Sequence, residues 1–308
     1  MNNRVSVVGA GNVGASLAQM VVQSGIADCI LFDIMEGIPQ GKALDISEAC
    51  PLWRSASAIK GTNKYEDTAG SDIVVITAGF PRKPGMSRDD LLTANAEVVT
   101  AVAQNSAKYS PDAIFIVVTN PMDVMTQTAY VKSGFRPERV IGMGAILDSA
   151  RFRTFVAWEL GVSPQDVEAL VLGGHGDLMV PMPRFTTVKG VSITELMSRD
   201  RIDALVQRTR QGGAEVVALL KTGSAYYAPA ASAFEMVKCI IFDEKRMLPC
   251  AAYLQGQYGI SGYYAGVPVV LGKAGVEKIV ELKFNEQESE DFDKSIKSVQ
   301  ELVQKLGI

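Results

Sequence analysis

Histidine is nearly absent from this chain, because His175 is the only one among 308 residues. Histidine is also the only side chain whose unperturbed pKa lies near neutral pH. If this protein transfers protons near neutral pH, His175 is therefore the first candidate for the acid and base. His175 lies within residues 172–177 (LGGHGD), where flanking glycines leave the imidazole uncovered and permit unusual backbone conformations. Taken by itself, this segment is as typical of a structural histidine at the end of a strand as of a catalytic one.

Long apolar runs, paired cysteines and blocks of like charge are missing too. No apolar run reaches the roughly 18–20 residues of a membrane span. Because the first residues lead directly into a predicted strand, we expect no signal peptide. A net charge of −4 without a basic block argues against nucleic acid or an anionic membrane as a partner. The scattered cysteines favour a reducing cytoplasm and argue against a disulfide framework or a metal site. They are Cys29, Cys50, Cys239 and Cys250.

The start of the chain has the pattern of a dinucleotide-binding unit. A strand at 5–8 leads into G-x-G-x-x-G at 9–14, a helix follows, and a strand at 29–32 ends in Asp33. Asp33 would accept hydrogen bonds from ribose hydroxyls; the alternative is a plain turn residue. Because Ile34 follows it, and not an arginine, we expect NAD over NADP. The predicted cofactor-binding residues of this unit are Gly9, Ala10, Gly11, Asn12, Val13, Gly14 and Asp33.

The alternation of strands and helices continues to about residue 142. Apolar runs typical of strands buried on both faces are joined by helical segments, which predicts a doubly wound parallel sheet of the Rossmann type. Ligands of such sheets bind at the carboxyl ends of the strands. We expect this NAD-binding domain to span residues 1–142. Its further strands are predicted at 73–77, 114–118 and 140–141, and its further helices at 39–49, 90–109 and 122–133.

The second half lacks this alternation, so we predict an α+β substrate domain over residues 143–308. A strand at 167–172 would deliver His175, and the last helix carries one apolar stripe from Phe292 to Leu306. The remaining elements are predicted as helices at 148–160, 211–220 and 230–241, antiparallel strands at 247–254 and 267–271, and another strand at 279–282.

Two polar segments could carry chemistry. The loop at 79–90 holds Arg82 and Arg88, whose guanidinium groups suit carboxylate recognition, and a long loop at a ligand-binding edge is often a lid. Its alternative is a solvated surface loop. Asp148 and Arg151 are three residues apart and therefore share a helix face. They form either an ordinary surface ion pair or a pair that faces the active-site crevice.

These segments resemble the lactate/malate dehydrogenase superfamily. The similarity lies in residues 78–88, 119–121, 147–151 and 173–177, in the family's order, and it extends over essentially the whole chain. Residues 37–45 and 226–230 are also similar to the malate dehydrogenases of the lactate-dehydrogenase-like type.

The resemblance implies a role for each residue. His175 exchanges a proton with the substrate hydroxyl, Asp148 orients the imidazole, and Arg151 holds the C1 carboxylate. Arg88 would stabilise the charge on the reacting oxygen after loop closure. Further substrate contacts are implied for Asn120 and Ser224, and further cofactor contacts for Asn95, Val118, Thr119 and Asn120.

Arg82 indicates which substrate the resemblance implies. Lactate dehydrogenases carry glutamine at the matching position, whereas an arginine would pair with the second carboxylate of oxaloacetate and discourage pyruvate. The resemblance therefore implies reversible, NAD-dependent oxidation of (S)-malate, with L-lactate dehydrogenase as the nearest alternative. A non-catalytic NAD-binding sensor would not need His175, Asp148 and Arg151 together. A purely structural assembly protein is the third alternative, and the family resemblance implies a homodimer or a homotetramer.

Overall fold

The computed structural model describes residues 3–80 and 88–308, apart from the side chain of Arg88. Residues 81–87 of the loop predicted at 79–90, with Arg82, lie outside the described residues, and so does the side chain of Arg88; residues 88–90 already belong to a helix. The elements of the first half, in chain order, are β1 (Arg4–Val8), α1 (Asn12–Ser24), β2 (Asp28–Phe32), α2 (Ile38–Trp53), β3 (Ile59–Thr62), β4 (Ile73–Ile76), α3 (Arg88–Tyr109), β5 (Ile114–Val117), α4 (Met122–Ser133) and β6 (Val140–Gly142).

The six strands of the first half form a parallel sheet in the order β6-β5-β4-β1-β2-β3. Successive strand residues point to opposite faces and enter two separate apolar cores. Ile73 and Val75 of β4 join the core beneath α1, whereas Val74 and Ile76 join the core beneath α3 and α4. The predicted Rossmann fold is thus confirmed, with its carboxyl-terminal strand ends at one edge.

The second half begins with a long helix and a group of short strands. In chain order its elements are α5 (Gly144–Leu160), β7 (Val167–Glu168), β8 (Val171–Leu172), β9 (Val180–Pro181), β10 (Thr187–Val188), β11 (Val191–Ser192), α6 (Ile193–Leu196), α7 (Arg199–Leu220), α8 (Tyr227–Ile241), β12 (Arg246–Gln255), β13 (Ser261–Gly272), β14 (Gly275–Ile279) and α9 (Glu286–Leu306).

The antiparallel strands of the second half continue the parallel sheet. β12 pairs with β6, where Ala251 lies opposite Gly142, and β13 and β14 follow outward. The result is one nine-stranded sheet, which joins the two halves through continuous backbone pairing. α9 begins with a capping box between Asn285 and Glu288 and buries the predicted apolar stripe, including Phe292.

Three predictions about elements are wrong in detail. The single strand at 167–172 is two separate strands, because β7 pairs with β10 and β8 pairs with β9. The strand expected at 279–282 lies earlier, as β14, and the helix expected at 211–220 is the end of the much longer α7. The edge strand β3 was not predicted. Within the described part of the chain, no helix is long and apolar enough to cross a membrane.

Candidate functional site

The glycine-rich turn after β1 is shaped by its lack of side chains. Gly9 has φ +111°, and a Cβ there would lie 2.6 Å from the backbone nitrogen of Ala78 on the neighbouring strand end. A Cβ at Gly14 would overlap the carbonyl of Gly9, so α1 can approach β1 only with glycine at this position. At Gly11 the corresponding space is open among the described residues. The turn is therefore closed toward the protein and open on the side where a ligand would lie.

The first turn of α1 leaves its backbone N–H groups available. Gly11 is the N-cap residue, and within the described structure no side chain caps this end and no acidic residue lies in the first turn. Free N–H groups and the positive end of the helix dipole form an anion site. This observation fits the pyrophosphate of a dinucleotide.

Asp33 lies at the carboxyl end of β2, beside this turn. One carboxylate oxygen accepts the backbone N–H of Ala10 at 2.7 Å, and the other accepts the N–H of Met35 at 3.0 Å. The carboxylate is thus fixed next to the glycine turn. Lys42 of α2 reaches the same turn and donates to the carbonyl of Ala10 at 2.6 Å. Lys42 is a neighbour that the sequence reasoning missed, because only the fold brings α2 to the turn.

The ends of β4 and β5 meet beside the turn. Thr119 is buried and its hydroxyl donates to the carbonyl of Ala78 at 2.7 Å. Asn95 of α3 is buried; its amide accepts the N–H of Phe80 at 2.8 Å and donates to the carbonyl of Asn120 at 2.7 Å. Asn95 therefore connects the ends of β4 and β5 through these two hydrogen bonds. Val118 is nearly buried, whereas the side chain of Asn120 is exposed at the sheet edge.

His175, Asp148 and Arg151 form one hydrogen-bonded cluster. Asp148 lies on α5 and is 1% exposed; its Oδ2 lies 2.7 Å from Nδ1 of His175, and its Oδ1 accepts Nη1 of Arg151 at 3.0 Å. α5 begins with Gly144, where a Cβ would lie 2.6 Å from the Cβ of His175, so glycine permits this approach. The predicted shared helix face of Asp148 and Arg151 is observed, and it faces the only histidine. Because Nδ1 is engaged by Asp148, Nε2 is the ring nitrogen left for a substrate.

The surroundings of His175 act on its pKa in opposite directions. Burial is the largest influence and by itself lowers the pKa, because the cation loses hydration. The charge and hydrogen bond of Asp148, together with the charge of Asp123, act against it and against the weaker repulsion from Arg151. The net result is a pKa above the ordinary value of 6.5. The imidazole therefore keeps its proton to a higher pH than an unperturbed histidine does.

Arg151 lies in a space provided by two glycines of α7. A Cβ at Gly212 would lie 3.0 Å from Cδ of Arg151, and one at Gly213 would lie 3.7 Å from Nη2. One guanidinium nitrogen is bound by Asp148. Its remaining N–H groups could bind a carboxylate in a two-pronged geometry.

Some predicted site residues are not brought into this cluster. Ser224 is exposed in the segment between α7 and α8, and in the described structure it forms no hydrogen bond with Asp148, Arg151 or His175.

The described residues also contain no group of three or more histidine, cysteine or carboxylate side chains that could hold a metal ion.

Comparison with known proteins identifies the family of the chain. The NAD-binding domain of the lactate/malate dehydrogenases matches residues 3–142, and their alpha/beta C-terminal domain matches residues 145–306. The chain belongs to the lactate/malate dehydrogenase family. As a member of this family it is an NAD-dependent dehydrogenase, which confirms the predicted cofactor and enzyme class.

Individual family members are similar over nearly their whole length. The malate dehydrogenase of Chloroherpeton thalassium is 55% identical over 305 residues, which are 99% of this chain and 98% of that protein. The crystal structure of malate dehydrogenase from Cryptosporidium parvum has a TM-score of 0.97 at 45% identity and covers 100% of this chain and 99% of its own. The lactate dehydrogenase of Cryptosporidium parvum, solved with lactic acid and NAD, has a TM-score of 0.96 at 43% identity and covers 99% and 98%.

The fold also brings Asp123 to the histidine, a contact that sequence reasoning missed. Asp123 of α4 is buried, and its Oδ2 accepts the backbone N–H of His175 at 2.7 Å. It follows the turn at 119–121, but nothing in the spacing indicates contact with a residue 52 positions later. The available signal was its place in the first turn after a strand end that the sequence already assigns to the site.

Proposed function

We propose that this dehydrogenase oxidises (S)-malate to oxaloacetate with NAD, and that the reaction is reversible. The observation that carries the proposal is the buried hydrogen-bonded pair of His175 and Asp148, with Arg151 on the same carboxylate. A base, a group that orients it and a carboxylate-binding cation are what oxidation of a 2-hydroxy acid requires. Relatives that carry the name malate dehydrogenase support malate over lactate.

His175 performs the proton transfer in this proposal. When bound, NAD supplies the acceptor for the hydride that leaves C2 of malate. Nε2 of the neutral imidazole takes the hydroxyl proton, and Asp148 stabilises the resulting imidazolium through Nδ1. In the reverse direction the imidazolium returns this proton to the oxygen of oxaloacetate. Because Asp148 and Asp123 raise the pKa of His175 above its ordinary value, the ring keeps a proton to higher pH for the reverse direction.

Substrate binding is assigned to cationic and polar side chains around this pair. Arg151 would bind the C1 carboxylate, Arg88 the reacting oxygen and Arg82 the second carboxylate, with contributions from Asn120 and Ser224. The last two have exposed side chains. The position of Arg151 beside His175 supports the first assignment. For Arg82 and Arg88 the support is the resemblance of residues 78–88 alone.

Cofactor binding is assigned to the first half, residues 1–142, and the proton-transfer residues to the second, residues 143–308. The open space at Gly11, the uncapped start of α1 and the fixed carboxylate of Asp33 fit NAD. Asn95 would act mainly by holding Asn120, since its amide is already used for backbone contacts. The proposed contacts are Gly9, Ala10, Gly11, Asn12, Val13, Gly14, Asp33, Asn95, Val118, Thr119 and Asn120.

Substrate preference tests the proposal directly. We expect kcat/KM for oxaloacetate to exceed that for pyruvate, and R82Q to reduce this ratio by more than a factor of ten. The expected size follows from one buried charge-assisted contact, worth about 1.5–3 kcal/mol. R136Q is a matched control, because Arg136 lies in the connection between α4 and β6. A preference for pyruvate in the unaltered enzyme would refute malate as the substrate, and an unchanged ratio in R82Q would show that Arg82 does not contact it.

The two reaction directions should depend on pH in opposite ways. Oxaloacetate reduction needs the imidazolium, so its kcat/KM should be highest at low pH and fall about tenfold per pH unit above the pKa of His175. Malate oxidation needs the neutral ring, so its kcat/KM should fall below that pKa. Because the pKa is raised, both midpoints should lie above 6.5. Initial rates between pH 5 and 9 would test this; profiles with the same sign in both directions would exclude His175 as the shared acid and base.

We also propose that the protein forms a homodimer or homotetramer in the cytoplasm. α2 exposes Leu44 and Leu52, which are 62% and 84% exposed, and α7 exposes Leu219, which is 76% exposed. Large apolar side chains on helix faces favour self-association. The four cysteines are free and buried, which fits a reducing compartment. Light scattering at several concentrations would determine the number of subunits.

A further inference from the structure

The backbone of the histidine loop is held at three consecutive residues by three different elements. β13, α9 and α4 each accept one N–H group of the loop. The pairs are Gly173 N–H with the carbonyl of Gly266 (2.9 Å), Gly174 N–H with Oγ of Ser295 (2.9 Å), and His175 N–H with Oδ2 of Asp123 (2.7 Å). Two of these acceptors are neutral, and only the one that binds the histidine itself is a carboxylate.

A carboxylate costs more free energy to bury at this contact than a neutral acceptor would. Asp123 is 4% exposed, and its Oδ1 has no hydrogen-bond partner among the described residues. Burying an ionised group costs free energy unless an opposite charge or hydrogen bonds compensate it. A hydroxyl such as that of Ser295 already performs the anchoring role at the neighbouring N–H. The negative charge of Asp123 therefore calls for a function beyond anchoring.

The charge of Asp123 changes the net charge of the groups around the imidazole. The charged groups that face His175 are Asp148 and Arg151 from α5 and Asp123 from α4. With a neutral imidazole and both carboxylates ionised, this cluster carries one net negative charge; with an imidazolium it is neutral. Without Asp123 the same cluster would be neutral with an uncharged ring and positive with an imidazolium. Asp123 thus changes which protonation state of His175 the buried site favours.

We infer that Asp123 is a positioning residue of the active site, which holds the backbone of His175 and uses its negative charge to favour the imidazolium. The inference rests on the proposed role of His175 in proton transfer. In support, burial raises the pKa of Asp123 to about 6, although the N–H and the charge of His175 act in the opposite direction. Each of the two groups shifts the pKa of the other, so the titrations of Asp123 and His175 are coupled.

The single histidine makes the inference measurable by NMR. Protein labelled with ¹⁵N only in histidine, with no histidine tag, gives one backbone amide signal and one pair of ring nitrogens, all from His175. The amide signal reports on Asp123, because its N–H is bound to that carboxylate. The ring nitrogens report on the imidazole itself. Neither signal requires catalysis.

D123N separates charge from anchoring, because the amide oxygen can still accept the N–H of His175. We expect the ring titration midpoint to fall by roughly one pH unit in D123N. Above both midpoints, kcat/KM for oxaloacetate should then fall about tenfold, because less of the enzyme carries the proton. S295A is the matched control, since it removes a neutral anchor from the adjacent N–H without changing charge; its ring midpoint should remain that of the unaltered enzyme.

The inference is overturned if D123N leaves the ring midpoint unchanged, or if S295A lowers it equally. D123A, which removes both anchor and charge, should reduce kcat more than D123N and shift the midpoint at least as far. If the variants fail to fold, the unaltered enzyme still decides: the amide of His175 should show a titration step near pH 6 that is separate from the midpoint of its own ring nitrogens. An amide that follows only the ring titration, or does not change with pH, would contradict the inference. Loss of the proposed function would look different, because H175A would then retain turnover whatever the NMR midpoints are.

Discussion

Replacing His175 with alanine should lower kcat for oxaloacetate reduction by about 10³-fold, within the range that a positioned general acid contributes. Hydride addition to the carbonyl leaves a negative oxygen that needs a proton, and His175 is the only histidine in the chain. The structure directs Nδ1 to Asp148, so in the proposed mechanism Nε2 is the nitrogen that would deliver the proton. Stopped-flow absorbance of NADH at saturating oxaloacetate would measure the loss.

The same variant should bind NADH normally. The cofactor-binding features lie at the glycine turn and Asp33, on elements of the first half of the chain. We expect the NADH dissociation constant of H175A, measured by fluorescence titration, to stay within about twofold of the unaltered enzyme. A loss of both binding and turnover would indicate a damaged fold and not a missing proton donor.

Two controls sharpen this result. L178A truncates an exposed side chain of the same segment, 51% exposed, and should retain turnover within about twofold. Added imidazole should partly restore H175A, since the variant leaves space beside Asp148 and Gly144. Full turnover in H175A would mean that another group transfers the proton.

The parallel strands were predictable because a strand that is buried on both faces consists of consecutive apolar residues. β4 and β5 consist of apolar residues only, and all of them are buried. β3 escaped prediction because it lies at the sheet edge, where Lys60 is exposed and Gly61 has no side chain to bury. β7 and β8 were merged into one strand because Val167 to Leu172 is a nearly continuous apolar run. Only the positions of their separate partners divide it.

The candidate site was predictable wherever a contact is local or follows a known motif. Asp148 and Arg151 lie three residues apart on one helix, so their shared face follows from helical geometry. Asp123 was not predictable in this way. It binds a backbone N–H, which every residue except proline has, so no residue type in the partner segment indicates the contact. The space for Arg151 beside Gly212 likewise depends on how α5 and α7 pack.

Replacing Asp148 with asparagine should reduce kcat/KM for oxaloacetate by about 10²–10⁴-fold, although the side chain keeps its size. Asp148 accepts on both oxygens, from His175 and from Arg151, and is 1% exposed. Asparagine has only one acceptor oxygen, so one contact must face its NH₂ group. If NH₂ faces His175, Nδ1 becomes an acceptor and the ring proton moves to Nε2; the imidazolium that oxaloacetate reduction needs would then set its Nδ1–H against the NH₂ group. If NH₂ faces Arg151, two donors oppose each other and the guanidinium is displaced.

The ¹⁵N signals of the single histidine would distinguish these outcomes, since the two neutral tautomers have different ring-nitrogen shifts. Loss of the Asp148 charge should also lower the pKa of His175, so the midpoint for oxaloacetate reduction should move to lower pH. Asp67 offers a matched control, because it also accepts from two side chains, those of Lys60 and Thr62, at the β3 edge of the sheet. D67N should keep kcat/KM within about twofold.

The double variant D148N/H175A tests whether Asp148 acts through the histidine. If its only catalytic role is to orient and charge the imidazole, removal of His175 leaves it nothing to act on, so the double variant should have nearly the same kcat as H175A. A further loss in the double variant, accompanied by a higher KM, would show that Asp148 also holds Arg151 for the substrate carboxylate. Retention of activity within tenfold in D148N alone would contradict the proposed pair, because a buried carboxylate bound to the imidazole would then be catalytically silent.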